Sequence, residues 1–591
     1  MILRSDHGNQ YFNDLIQHNV WYTPTLRVVA LEIEPSFTFL EIRMRCRWIA
    51  AAFIGLLLSA TAQSQTTALP AHSFFHVQLG NSASAQPTSG RLLLFAVEAK
   101  TAEAEAKTES DGKSSVVDEV DANPFSATQT SVAAREVSRW TPGQINDIDA
   151  DQLAFPAGYS QLQPGDYYVQ AVLDVDHTYN YAGRGADDLV SEVVKLHLPI
   201  ASIPTLTLSK ALPARDPWTL SASTPAAIRA LLPEAHQHAN LVEFVSPSLS
   251  AFWGRPITMR GWVLTPPGYD AKAGKRYPTV YYTQGFGGNN DRVSGPLATV
   301  YAAMSKGEMP PMIWVFLDES SPTGTHEFAD SINNGPWGQA LTTELIPQLE
   351  SQYRMDAKSS GRFLNGHSSG GWATLWLQTR YPKIFGGTWS TSPDPSDFHD
   401  FTGIDLYAPH ANAYRKPDGL AYPLVRDHDK VLGTFEQFAK LERVLGTYGG
   451  QLGSFEWVFS PRGKDGLPLP MFNRDTGDID PAVVAYWRDH YDIAFRLQHN
   501  WPQLKPDLDG KIHLFVGTAD TFYLDGAAHR LQAVLDGLHA KSSFTFLPNR
   551  THFDLYVQGK DRQGLLKQIS WQMYAVARPD STLKASLQPV Q

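Results

Sequence analysis

Two patterns of apolar positions divide the chain. From residue 73 to about 206, short runs rich in β-branched and aromatic residues (73–79, 91–97 and 166–173) are bounded by Gly, Pro, Ser or Asp. Such runs predict strands joined by turns. Only 187–196 in this stretch suggests a helix, and 100–121, dominated by Ala, Glu, Lys, Ser and Asp, suggests a solvated loop. The expectation is a small β-sandwich-like domain over 63–205, which either packs on the remainder or binds carbohydrate. Residues 206–243 then read as a linker, with prolines and serines concentrated at 203–225.

From residue 244 strands alternate with helices, the pattern of a mostly parallel sheet. Strands are predicted at 258–269, 277–284 and 312–318. A helix over 339–353 follows, with Leu341, Leu345, Ile346, Leu349 and Tyr353 on one face and a kink at Pro347. Phe363 and Leu364 give an apolar strand, and residues 372–380 a helix stopped before Tyr381-Pro382. Further strands are expected at 385–391, 511–516 and 543–548, with a helix near 526–538. This second domain thus spans 244–580, and 393–506 is a long lid-like insertion at the rim of the sheet. Its Tyr407, Tyr414, Phe435, Tyr448, Phe455, Trp457, Phe459, Phe472 and Trp487 either wall a pocket or pack on one another.

Composition narrows the partners. With 591 residues, 42% hydrophobic and 18% charged, the chain is ordinary globular protein of two or three domains. Its net charge of -11 argues against nucleic acid and anionic lipid as partners. Residues 44–47 are basic, 48–58 are apolar, and Ala60-Thr61-Ala62 supplies small residues. That is the pattern of a secretory signal over 44–62, which implies a periplasmic or secreted protein starting near Gln63, with no membrane anchor after cleavage. Residues 1–43 precede the signal as an extension, from an early start or a genuine cytoplasmic segment. The single cysteine, Cys46, lies within the signal, so the mature chain would hold neither disulfides nor thiolate metal sites.

The strand and helix at 362–380 flank Gly366-His367-Ser368-Ser369-Gly370, a G-x-S-x-G turn that presents a serine as nucleophile. Gly285-Phe286-Gly287-Gly288 follows the 277–284 strand, where backbone N–H groups could face an oxyanion; Phe286 and Ser369 would donate them. A serine needs a base, and the base a carboxylate. Ser368, Asp520 and His552 occur in the order Ser, Asp, His, each at the end of a strand. Asp520 is preferred to Asp525 because it directly follows its strand, and His513, His529 and His539 read as structural. Residues 427–429 and 475–480 lack a convincing cation-ligand spacing, so neither metal nor cofactor is expected.

With Tyr277-Pro278, Gly335-Pro336-Trp337, Glu344-Leu345-Ile346-Pro347 and the segment from Gly517 to Asp520, these motifs make residues 250–575 resemble the esterase D, enterochelin esterase and feruloyl esterase group. The resemblance implies an α/β-hydrolase fold and a serine carboxylic-ester hydrolase acting on a small-molecule or carbohydrate-linked ester, with the triad on Ser368, Asp520 and His552. Gln284-Gly285 stands where the group commonly has His-Gly. Arg550-Thr551-His552-Phe553-Asp554 stands in place of Gly-His-Asp, and Ser369 in place of Met. Acyltransferase and serine peptidase remain alternatives on the same fold. So does a non-catalytic surface-binding protein, which would be expected to have lost a triad member.

Overall fold

A computed structural model describes residues 72–109, 115–220 and 224–583; the secretory-signal pattern, its preceding extension and Cys46 lie outside the described residues. Residues 74–211 form nine strands in one continuous sheet. The central strand Thr88–Glu98 is buried on both faces. Leu92, Leu94 and Ala96 join a core with Phe75, Trp140 and Leu206 on one side. Leu93, Phe95 and Val97 join a second core on the other.

Three local expectations change. Residues Ala99–Glu109 are an 11-residue helix rather than loop; Ala, Glu and Lys are strong helix formers, and Ala99 and Ala102 are buried against the sheet. The 187–196 region instead holds the strands Leu189–Ser191 and Val194–Leu198, both paired to Gly165–Asp174. The linker begins later than 206, because Thr205–Ala211 is a strand lying parallel to Phe74–Leu79. Its far end is occupied by the helices Ala226–Arg229 and Leu232–His238 and by the strand Ala239–Val245, which already belongs to the second sheet.

That sheet has eight strands, and six neighbours from Ile313–Leu317 to Ser542–Leu547 run parallel. Ala239–Val245 and Thr258–Leu264 add antiparallel pairings at one edge. Helices cover both faces, which makes this an α/β-hydrolase fold. Before Pro347 the predicted helix widens into a π turn at Leu341–Leu345 and continues as Ile346–Gln352. Proline lacks an N–H and crowds the carbonyl four residues back, so a regular α turn cannot run through it.

The insertion carries the hairpin of Pro423–Asp427 with Lys430–Thr434 and the helices Phe435–Leu445, Gln451–Phe459, Pro481–Tyr491 and Ile493–Leu508. Phe455, Phe459, Phe472 and Trp487 pack together with Trp372 and Trp376 of the helix that follows Ser368. Helix Phe435–Leu445 is shared between two cores. Phe435 and Ala439 join the insertion core, and Leu441, Val444 and Leu445 the outer face of the first sheet. Its last carbonyls are met from the first domain: Arg91, buried, donates to Val444 O at 2.7 and 2.9 Å, and Asn180 donates to Glu442 O and Gly446 O. A cation at a helix C-terminus is favourable twice over, as donor and as partner to the helix dipole. Among the described residues no helix is long and apolar enough to cross a membrane.

Because Trp487 is fully buried and Tyr448 is 36% exposed, the two aromatics should respond differently to truncation. Trp487→Ala is expected to cost about 3–5 kcal/mol through its cavity, and Tyr448→Ala no more than about 0.5 kcal/mol. Thermal unfolding of the two variants side by side tests this; equal midpoints would mean that the insertion has no such core.

Candidate active site

Strand Arg362–His367 runs directly into helix Ser369–Arg380, and the turn between them leaves Ser368 at φ 60° and ψ -127°. Left-handed backbone at a non-glycine residue costs energy that only a tightly determined surround retains. The surround here is tight. A Cβ on Gly366 would lie 2.1 Å from Gly370 O, and one on Gly370 2.4 Å from Gln284 O and 2.5 Å from Thr283 O. The backbone of Ser368 is pinned by its N–H to Thr391 O at 3.1 Å and by its carbonyl, which accepts from Trp372 and Asp394 N–H groups. Gly285 runs against the serine itself: a Cβ there would sit 2.7 Å from Ser368 Cβ.

His552 and Asp520, both with side chains wholly buried, meet at 2.9 Å between Nδ1 and Oδ2. Burial would raise the Asp520 carboxyl. The charge and hydrogen bond of His552, with a donor from Phe522 N–H, outweigh it and hold the group below its ordinary range. A carboxylate that accepts from Nδ1–H leaves the lone pair on Nε2, the tautomer a general base needs. Asp525 is directed elsewhere, since Arg426 of the insertion donates to it at 2.9 Å while also donating to Asp520 O. His367 links the serine's strand to this pair: its ring centroid lies 4.4 Å from that of His552. Burial, then the nearby His552 charge, push its pKa well down, so it stays neutral.

Of the other histidines, His513 stacks on Trp389 with its pKa pushed down to about 4 by burial, and His529 stacks on Phe546. Ser369 opens its helix, so its N–H has no acceptor within the helix. Phe286 borders the same cavity as Ser368.

One neighbour escaped sequence reading. Ser369 Oγ donates to Asp394 Oδ2 at 2.6 Å, and burial pushes that carboxyl up to about 6 despite the Ser369 hydrogen bond and the His552 charge. Glu319 and Glu327, also buried, are raised well above the ordinary range, first by burial and then by Asp394 and adjacent carboxylates. At position 394 the sequence offers only an aspartate at the start of an irregular insertion, with no motif to mark it.

The cavity over Ser368 is about 140 Å³. Its insertion wall comprises Val425, Phe438, Leu441 and Leu445 together with the polar Glu442 and Gln451. None of the nine aromatics singled out from the sequence borders it; six of them, including Phe435, Phe459 and Trp487, are instead buried in the insertion core. Facing that wall stand Phe125 and Tyr179 of the first domain. Among the described residues, one group of carboxylates has oxygens within 4.8 Å of one another: Asp174, Asp176 and Asp188. Asp174 and Asp188 accept from the N–H groups of Tyr179, Val175 and Gly185, so they close the 174–188 loop from within.

Residues 250–546 match the family model described as Putative esterase. Similar solved structures include an S-formylglutathione hydrolase from Agrobacterium tumefaciens, 14% identical over 57% of this chain and 95% of that one, TM-score 0.34. They also include a feruloyl esterase module from Clostridium thermocellum in complex with sinapinate, 15% identical over 62% of this chain and 94% of that one, TM-score 0.31. A third is a ferulic acid esterase from Anaeromyces mucronatus in complex with ferulic acid, 14% identical over 56% and 89%, TM-score 0.30. No curated protein matches the chain.

Since Nδ1 of His552 faces Asp520 and not Asp525, Asp520→Asn should slow the reaction of Ser368 with a fluorophosphonate by roughly the 10⁴ that a wrong tautomer costs. Asp525→Asn, which weakens only the Arg426 contact, should stay within about tenfold. Labelling rates of the two variants check this, and the opposite ranking would reassign the acid.

Proposed function

The chain belongs to the Putative esterase family, and from that premise we propose that it hydrolyses carboxylic esters through an acyl-enzyme formed on Ser368. The observation that carries the reading is the buried 2.9 Å contact of His552 Nδ1 with Asp520, adjoining a serine held at positive φ on a strand-to-helix turn.

In the first step His552 Nε2 takes the proton of Ser368 Oγ as the oxygen attacks the ester carbonyl. Asp520 holds the imidazole in the required tautomer and balances the imidazolium that forms. The carbonyl oxygen gains negative charge, which the N–H groups of Phe286 and Ser369 receive; the second is favoured by the N-terminus of its helix. His552 returns the proton to the departing alcohol, and the acyl group stays on Ser368. A water then gives its proton to His552, attacks the acyl carbonyl, and leaves the acid product and the free serine. Phe125, Phe286, Phe438, Leu441, Leu445 and Phe522 border the cavity, which favours a small-molecule ester with an apolar portion.

The signal pattern over 44–62 supports export. The mature protein is then expected in a periplasmic or culture fraction with an N-terminus near Gln63. Sequencing that found residues ahead of Met44 on the mature chain would rule this out.

For the chemistry, a fluorophosphonate should label the purified protein, and Ser368→Ala should abolish both labelling and ester hydrolysis. Labelling that survives in that variant would remove Ser368 from the role of nucleophile.

A further inference from the structure

The cavity over Ser368 is not built by the hydrolase fold alone. One wall belongs to the first domain, and the backbone there is fixed rather than draped. Asn123 Oδ1 accepts the Phe125 N–H at 2.9 Å within a 3-10 turn. Just upstream, Val120 N–H donates to Gln170 of the sheet at 2.9 Å, and Arg184 pairs with Glu119 at 3.4 Å and Asp121 at 3.9 Å. Tyr179, 5% exposed, is held by its N–H to Asp174 and by its ring against Phe95 at 5.6 Å. Both aromatics therefore stand on short segments tied to the first sheet, positioned before any ligand arrives.

Phe125 also reaches the two residues that flank the acid and the base. Its ring lies 5.9 Å from Phe522 and 5.5 Å from Phe553, and those rings lie 4.9 and 5.4 Å from His552. Across the cavity, two of the polar groups bordering it are occupied by backbone. Glu442 accepts from Leu452 and Gly453 N–H groups, and Asn180 donates to the end of the insertion helix. Besides Ser368, Asp121 and Gln451, what remains toward the space is apolar. At about 140 Å³ it is close to the roughly 150 Å³ dry cavity that accepts one benzene ring.

We propose that the first domain is a working part of the active site, in which Phe125 and Tyr179 complete an apolar slot over Ser368 that admits a single-ring or short branched group of the ester and rejects larger ones. The proposal rests on the reading of Ser368 as nucleophile. It assigns the domain a role in choosing substrate, where its strand pattern alone suggested packing or carbohydrate binding. The ion-paired and hydrogen-bonded loop sets the depth of the slot, and Phe125 is its adjustable side because it is only partly buried and lies at the edge of the insertion core, where it borders the cavity.

The test uses the full chain with two ester series: acetyl, benzoyl and 2-naphthoyl esters of one alcohol, and acetates of methyl, benzyl and 2-naphthylmethyl alcohols. Phe125→Ala deepens the slot and should raise kcat/KM for the naphthyl member relative to the acetyl or methyl member at least about tenfold, in one series or the other. Phe125→Trp fills the slot and should lower the single-ring member relative to the smallest one by a similar factor. Because the side chain is partly exposed both variants should fold, and thermal unfolding and fluorophosphonate labelling of Ser368 are recorded with each. If every ester changes by the same factor in both variants while Ser368 still labels, the wall proposal fails and the nucleophile stands. If the wild-type protein neither labels at Ser368 nor cleaves any ester, the nucleophile reading fails and takes the slot with it.

Discussion

The backbone at Gly370 passes so close to the carbonyls of Thr283 and Gln284 that no side chain fits between them. That approach locks the helix after Ser368 onto the end of the neighbouring strand, and the rest of the site follows from it. It forces the turn at Ser368 into positive φ and sets Gly285 against the serine. It brings the start of helix Ser369–Arg380 beside the segment carrying Phe286. Strain at one residue is sustained because the surrounding strands, each buried on both faces, have no alternative packing.

Burial has opposite electrostatic consequences for two carboxyls near that turn. Asp520 is kept ionised by His552 and its hydrogen-bond donors, so its contribution to stability is present above its unfolded pKa and is lost as pH falls through the lower folded value. Asp394, with a folded value of about 6 against an ordinary 3.8, behaves in reverse. Between about pH 4 and 6 the folded protein keeps a proton that the unfolded chain has released, so this group's contribution weakens as pH rises through that window. Glu319 and Glu327 are raised in the same direction. Burial thus leaves Asp520 charged beside His552, while it keeps Asp394, Glu319 and Glu327 protonated toward higher pH.

Helix Phe435–Leu445 joins the two halves of the molecule. Its apolar residues divide between two cores, and its terminal carbonyls are satisfied by Arg91 and Asn180 of the first domain. A helix with both sides covered and its end capped by another domain has little freedom to swing. The insertion thus supplies one wall, and the space over Ser368 takes its shape from three parts of the chain that are far apart in sequence.

The sequence by itself determined much of the catalytic half. Strand and helix periods at 277–391 and 511–548 mark the parallel part of the sheet, because strands covered on both faces are richer in apolar residues and alternate with helices. The G-x-S-x-G turn is legible because close backbone approach excludes other residues. The order Ser, Asp, His at strand ends follows from the fold's topology. Other features depend on what lies across space. Ala99–Glu109 could be loop or helix until a sheet covered Ala99 and Ala102, and Thr205–Ala211 is a strand because Phe74–Leu79 offers it a free edge. Asp394 has no local signal, since its environment is assembled from segments far apart in sequence. The same holds for Phe125 and Phe438: a lone phenylalanine carries no mark of whether it will end in a core or at a cavity, and only the packing of the two domains against the insertion helix decided that these two border the space over Ser368.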